Sequence, residues 1–181
     1  VQVAVPLDGT LSGRIYADLP TETPTGWRGH INGSFYPRQD RKTVEFDGSG
    51  FRGKWNDMLV DAAAKGMAAH LETIATTLGH RVAWAYLVDA EHVSRTIASG
   101  EYPKAFASFF ARAKELVRKS TIVLLADGTS VTPGGSIVPR DEVEYEAVDV
   151  LTRLGLSIVD PTIRPQILQI TQTQYGIQQL S

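Results

Sequence analysis

The sequence predicts an α+β chain: a small mixed or antiparallel sheet packed on a long helix, followed by a helical and small α/β extension. Three observations carry that expectation. The first quarter alternates apolar and polar residues at period 2. Residues 55–78 repeat apolar side chains at i, i+3, i+4 and i+7, the period of an amphipathic helix. Beyond residue 100 a helix, a hairpin, a helix and a short strand follow one another, and mixed orders of this kind belong to α/β or α+β folds. The expected division is 1–100 for the sheet and long helix, 101–165 for the extension, and 166–181 for a C-terminal helix or linker.

In chain order, Val1, Val3 and Val5 read as a strand, and Asp8-Gly9 as a turn. Gly13–Leu19 is strand-like, Pro20–Gly26 (PTETPTG) is loop-like by composition, and His30–Tyr36 is a strand closed by Pro37. After the Gly-rich 47–53 stretch comes the long helix. Trp55, Met58, Leu59, Ala62, Ala63, Met67, Leu71, Ile74 and Leu78 form its apolar stripe, with Asn56, Asp57, Asp61, Lys65 and Glu72 elsewhere, and Gly79 as its C-cap. Two helices follow, Arg81–Ala98 and Lys104–Lys119, separated by Gly100–Pro103. The second aligns Phe106, Phe109, Phe110, Ala113, Leu116 and Val117, with Arg112, Lys114, Arg118 and Lys119 complementing the dipole at its end. Thr121–Ala126, Asp127-Gly128 and Thr129–Thr132 read as a hairpin. Residues 141–154 read as an amphipathic helix capped by Gly155, Leu156–Val159 as a strand, and Ile163–Leu180 as a helix or linker.

The 181 residues carry 18 Lys+Arg against 20 Asp+Glu, a net charge of −2, so neither a basic nucleic-acid arm nor an acidic tail is present. A 43% hydrophobic composition suits a folded chain. With no cysteine, disulfides, thiolate metal sites and a cysteine nucleophile are excluded. No apolar run approaches the ~18 residues of a membrane span, and Val1–Pro6 lacks the basic lead of a leader peptide, so a cytoplasmic chain with no membrane partner is expected. The first residue is not Met, the chain starts within a strand pattern, and it ends in a Gln-rich stretch; it is expected to be a piece of a longer protein.

Chemistry-bearing motifs are sparse. His30, His70, His80 and His92 show no metal-ligand spacing, and no metal is expected. There is no G-x-S-x-G elbow, and Ser130 and Ser136 stand beside turns. Gly48-Ser-Gly50 does not make a phosphate loop, and Glu142, Glu144 and Glu146 read as a solvated run. One segment stands out: Arg28–Lys42, strand-like through Asn32-Gly33 and ending in a basic tip of Arg38, Arg41 and Lys42. Guanidinium and ammonium groups clustered at a turn suit a phosphate, though a solvated basic loop has the same composition.

The order G-R-I-Y-A-D-L-P (13–20), T-G (25–26), H-I-N-G-S-F (30–35), Arg38 and Arg41, then Trp55-Asn56 and Leu59, resembles a segment of sacsin-like members of the heat-shock protein 90 ATPase superfamily. That segment follows the nucleotide-binding domain. Asp40-Arg41-Lys42 stands where that family carries Asn-Arg-Arg. The hairpin at Asp127-Gly128 and the Val148–Pro161 helix and strand are compatible with the same pattern, and the 30–35 strand is more loosely similar to the mismatch-repair ATPase MutL. The resemblance implies a middle or transducer domain of ribosomal S5 domain 2-like fold, coupling ATP binding to conformational change, with chaperone activity. It implies ATP and Mg bound by an N-terminal nucleotide-binding domain of the same chain, client proteins as partners, and no cofactor or activity in this segment alone. Arg38, Arg41 or Lys42 would then contact the γ-phosphate. The alternatives are a transducer of a DNA-acting relative, which the net charge disfavours, and a protein-interaction module with no nucleotide role.

Overall fold

The structure, a computed structural model, describes residues 1–5, 13–26, 28–46, 50–97, 105–139, 146–170 and 172–180. The expected Asp8-Gly9 turn, the Gly100–Pro103 break, and Glu142 and Glu144 lie outside the described residues. The chain is α+β and divides into two compact units: Val1–Ala68 with Asp89–Ala113, and Ala69–Val88 with Lys114–Ser181.

The first unit holds a four-stranded mixed sheet in the order β1-β4-β2-β3, from β1 (Gln2–Ala4), β2 (Arg14–Ala17), β3 (Leu19–Pro24) and β4 (His30–Asn32). The β1–β4 and β2–β3 pairs are antiparallel, and β2–β4 is parallel with Ile15 opposite Ile31. Both isoleucines are fully buried.

The PTETPTG stretch is mostly strand, not the loop its composition suggested. β3 is the outer strand of the ladder, where a proline removes no bond from an inner neighbour. Its alternation is real but polar: Thr21, Thr23 and Thr25 are buried. Each hydroxyl has a backbone partner, with Thr21 Oγ1 donating to the Ile15 carbonyl (2.8 Å) and Thr25 Oγ1 to that of Gly29 (2.9 Å). Thr23 Oγ1 accepts from the Val44 amide at 2.9 Å.

The long helix is divided. α1 runs Phe51–Ala69 and α2 runs Leu71–Leu78. Between them His70 has φ −105° and ψ 3°, far from the ψ of about −42° that continues a helix. The break lies next to the boundary between the two compact units at Ala68/Ala69. α1 buries Asn56, Leu59, Val60, Ala63, Ala64 and Met67. Met58, expected in that stripe, is half exposed at 50%. The first unit also takes the start of α4 (Ala105–Val117). There Phe106, Phe109 and Phe110 are buried together, and Phe46 meets Phe106 edge-on at 6.3 Å.

The second unit contains α2, the first half of α3 (His80–Thr96), and the end of α4. The hairpin forms as expected: β5 (Val123–Leu124) pairs antiparallel with β6 (Ser130–Val131). Gly128 takes φ 84° in its turn. β7 (Ile137–Val138) follows a 3-10 turn at Pro133–Gly135, and α5 covers Val148–Arg153 with Gly155 at φ 84° behind it. Ile158 and Val159 make isolated bridges to Ile137 and Leu125.

Ile163–Leu180 is neither one helix nor a linker. It folds into α6 (Arg164–Leu168), α7 (Gln172–Tyr175) and β8 (Gln178–Gln179), the last pairing parallel with β7. Its apolar residues explain this: Ile163, Ile167, Ile170, Tyr175 and Ile177 are all buried. The basic end of α4 serves this stretch, with Arg118 Nε donating to the Gln174 carbonyl at 2.6 Å and Lys114 Nζ bonded to the Gln174 side chain. Among the described residues no helix is long and apolar enough to cross a membrane.

Candidate functional site

The basic tip is a hairpin turn built from residues 36–45. Pro37 and Val44 form an antiparallel bridge. The Glu45 amide donates to the Tyr36 carbonyl (3.2 Å), and the Arg38 amide to that of Thr43 (2.8 Å). The turn closes with the Arg41 amide on the Arg38 carbonyl at 2.9 Å. The Asp40 carboxylate accepts from the Lys42 amide at 2.9 Å, an Asx turn.

Two walls hold this turn. One is β3, whose Glu22 amide donates to the Lys42 carbonyl at 2.6 Å beside the Thr23–Val44 bond. The other is the start of α1. Asn56, fully buried, accepts from the Tyr36 amide at 2.8 Å through Oδ1. Its Nδ2 donates to the carbonyls of Tyr36 (2.9 Å) and Glu45 (2.8 Å). The carboxamide thus acts as a short piece of strand, pairing with both sides of the turn. Trp55 Nε1 adds a bond to the Ser34 carbonyl at 3.0 Å.

Arg38, Arg41 and Lys42 are brought together on this turn, and all three are exposed. Arg41 and Lys42 make no ion pair with a carboxylate among the described residues. Arg38 lines an open depression with Gln39, Asp40, Glu45 and Arg52. Arg52, from the first turn of α1, lies over the Tyr36 ring with Cζ 5.6 Å from its centroid. Behind Asn56, partial burial raises the Asp57 carboxyl above its ordinary value. Farther along α1, the hydrogen bond from Lys65 lowers that of Asp61. Exposed guanidinium and ammonium groups can neutralise an anion; they carry no covalent chemistry of their own.

Arg41 has φ 57°, in the left-handed region that costs an L-residue about 1 kcal/mol or more. Arg41→Gly is therefore expected to raise stability by about 1 kcal/mol, or roughly 2–4 °C in melting temperature, whereas Arg41→Ala keeps the strain. Paired thermal melts of the two variants check this, and equal midpoints would contradict it.

The remaining sequence candidates do not converge. Among the described residues no group of three or more His, Asp and Glu side chains is placed to hold a metal ion. His80 Nδ1 lies 2.9 Å from the Ile122 carbonyl and Nε2 lies 3.4 Å from Ser130 Oγ. His30 Nδ1 accepts from the Arg14 amide at 3.0 Å. Both are satisfied structural histidines. Sequence reasoning missed Asn56, which it placed off the apolar stripe, and Arg52. The signal for Asn56 was present, since 56, 60, 63 and 67 share one helical face.

Comparisons of the chain with family models, with curated proteins and with solved structures give no match.

Proposed function

We propose that this chain is a transducer-like domain, of the ribosomal S5 domain 2-like kind, from a sacsin-like, heat-shock protein 90-type ATPase. In that reading its basic turn meets the γ-phosphate of ATP. The nucleotide and its Mg would be held by an N-terminal nucleotide-binding domain of the same protein, and the coupled motion would serve client proteins in the cytoplasm. The observation that carries the reading is the basic turn itself: Arg38, Arg41 and Lys42 are exposed, while their backbone is fixed by β3 and by Asn56. Of the residues of the resemblance, Asn56 belongs to that fixture, and its neighbour Trp55 bonds to Ser34 of H-I-N-G-S-F. A preorganised cation stabilises charge developing on a transferred phosphoryl group without reorganising at the moment of reaction.

The test uses the chain joined to its nucleotide-binding domain. Arg38→Ala, Arg41→Ala and Lys42→Ala are made separately. The residue that reaches the γ-phosphate should lose about a hundredfold in turnover while ATP affinity stays near wild type. Three variants with unchanged turnover would remove the reading. This chain alone should give no saturable heat with Mg·ATP in calorimetry, and micromolar binding would contradict the assignment.

A further inference from the structure

We infer that the outer face of α1, with the turn beside it, is a docking surface for an acidic amphipathic helix of a partner protein. α1 has two apolar stripes. The buried one runs through Asn56, Val60, Ala63 and Met67. The second holds Phe51, Trp55 and Met58 at i, i+4 and i+7, with Phe51 68% and Met58 50% exposed. Tyr36, 37% exposed, joins it: its ring meets Phe51 edge-on at 5.9 Å, and Phe51 lies 5.9 Å from Trp55. Large apolar side chains gathered in one exposed patch mark an interaction surface.

Three features choose the occupant. Tyr, Trp, Phe, Met and Arg are the residues enriched at the centres of protein interfaces, and all five are here. The stripe has helical spacing over two turns, which suits a helix laid along it with its own i, i+3, i+4 and i+7 anchors. The flanking charge is cationic: Arg52 is seated on Tyr36, Arg38 shares its depression, and Arg41 and Lys42 are exposed on the turn. Charge complementarity then requires carboxylates on the partner's polar face. Trp55 is bonded to the Ser34 carbonyl, so its indole is held in place before binding and loses little side-chain entropy. Arg38, Arg41, Lys42 and Arg52 outnumber Asp40 and Glu45, the two carboxylates that line the same depression. A single-stranded nucleic acid also uses rings and cations, but it stacks bases on ring faces, and Met58, which continues the stripe, offers none. The inference shares the cations of the turn with the ATPase reading but needs no nucleotide, and its test rests on Phe51 and Arg52, which that reading does not use.

The experiment follows the Trp55 indole resonance in the isolated chain, assigned by its loss in Trp55→Phe. The probes are a synthetic helical peptide with leucines at i, i+3, i+4 and i+7 and glutamates elsewhere, the same peptide with lysines, and oligodeoxythymidylate. The glutamate peptide should shift the Trp55 signal and saturate below ~1 mM. Phe51→Ser and Arg52→Glu, both at exposed positions, should each weaken it about tenfold without lowering the melting temperature. No saturation by the glutamate peptide, or equal binding of the lysine peptide, overturns the proposal. Tighter saturation by oligodeoxythymidylate overturns it in favour of nucleic acid.

Discussion

Asn56→Ala is expected to destabilise the chain by about 3 kcal/mol and to loosen the basic turn. The substitution removes one acceptor and two donors from a fully buried side chain. The Tyr36 carbonyl keeps a partner, since it also accepts from the Glu45 amide. The Tyr36 amide and the Glu45 carbonyl do not, and each orphaned, part-buried group costs roughly 1–2 kcal/mol, to which the emptied space beside the turn adds. Asn56→Asp separates hydrogen bonding from packing, because the shape is kept. One carboxylate oxygen still accepts from the Tyr36 amide, but the other faces two carbonyls and cannot donate unless protonated. The folded state then favours the protonated acid, so its pKa rises above the unfolded value of about 3.9. A raised carboxyl means the native state binds more protons, so stability is lost as pH rises above the unfolded value and recovered below about pH 4. Denaturant melts at neutral and acid pH check the pair: Asn56→Asp should gain relative to Asn56→Ala on acidification. Parallel pH behaviour of the two variants would mean that the carboxamide bonds are not what holds the turn. Amide exchange at Arg38 and Glu45 should quicken in both variants at neutral pH.

The sequence made the sheet and helices legible wherever apolar periodicity and burial agree. Phe106, Phe109 and Phe110 stand buried on one face of α4 as their spacing requires. The failures share a cause: polar residues doing the work of a core. Pro20–Gly26 scores as a loop because threonine and proline dominate it, yet the threonine hydroxyls replace apolar contacts by hydrogen-bonding the backbone. Asn56 scores as solvent-facing because carboxamides are usually outside, and only the pairing needs of a hairpin formed by residues 36–45 bring it in. The break at His70 has no local signature, since neither proline nor glycine stands there. At the C-terminus, the isoleucines at 163, 167, 170 and 177 were visible, but the glutamines between them dilute any amphipathic pattern. As for the candidate site, its cations were legible as a cluster, whereas the two walls that fix them depend on contacts distant in sequence. Glu22 reaches Lys42, and Asn56 reaches Tyr36.

Trp84→Ala is expected to have the largest effect, a loss of about 4 kcal/mol. Trp84 is fully buried in the second unit, where its ring stands edge-on to Tyr175 at 6.2 Å. Its Nε1 donates to the Ile122 carbonyl at 3.0 Å. That carbonyl has a second partner in His80 Nδ1 at 2.9 Å, and because a carbonyl only accepts, Nδ1 carries the proton while Nε2 faces Ser130. Trp84→Phe therefore removes one of two donors and orphans nothing, so it should cost only about 1–2 kcal/mol, most of it lost volume. His80→Ala alone likewise leaves the indole in place. Together, Trp84→Phe and His80→Ala strip the carbonyl of both donors, and the double variant should lose about 1 kcal/mol more than the sum of the singles. Denaturant unfolding of the four proteins measures that coupling. Strict additivity would mean that water reaches the Ile122 carbonyl and that volume alone makes Trp84 important. Positive coupling, with Trp84→Ala far below Trp84→Phe, would show that Ile122, just before β5, and the C-terminal stretch at Tyr175 are tied to α3 through one side chain.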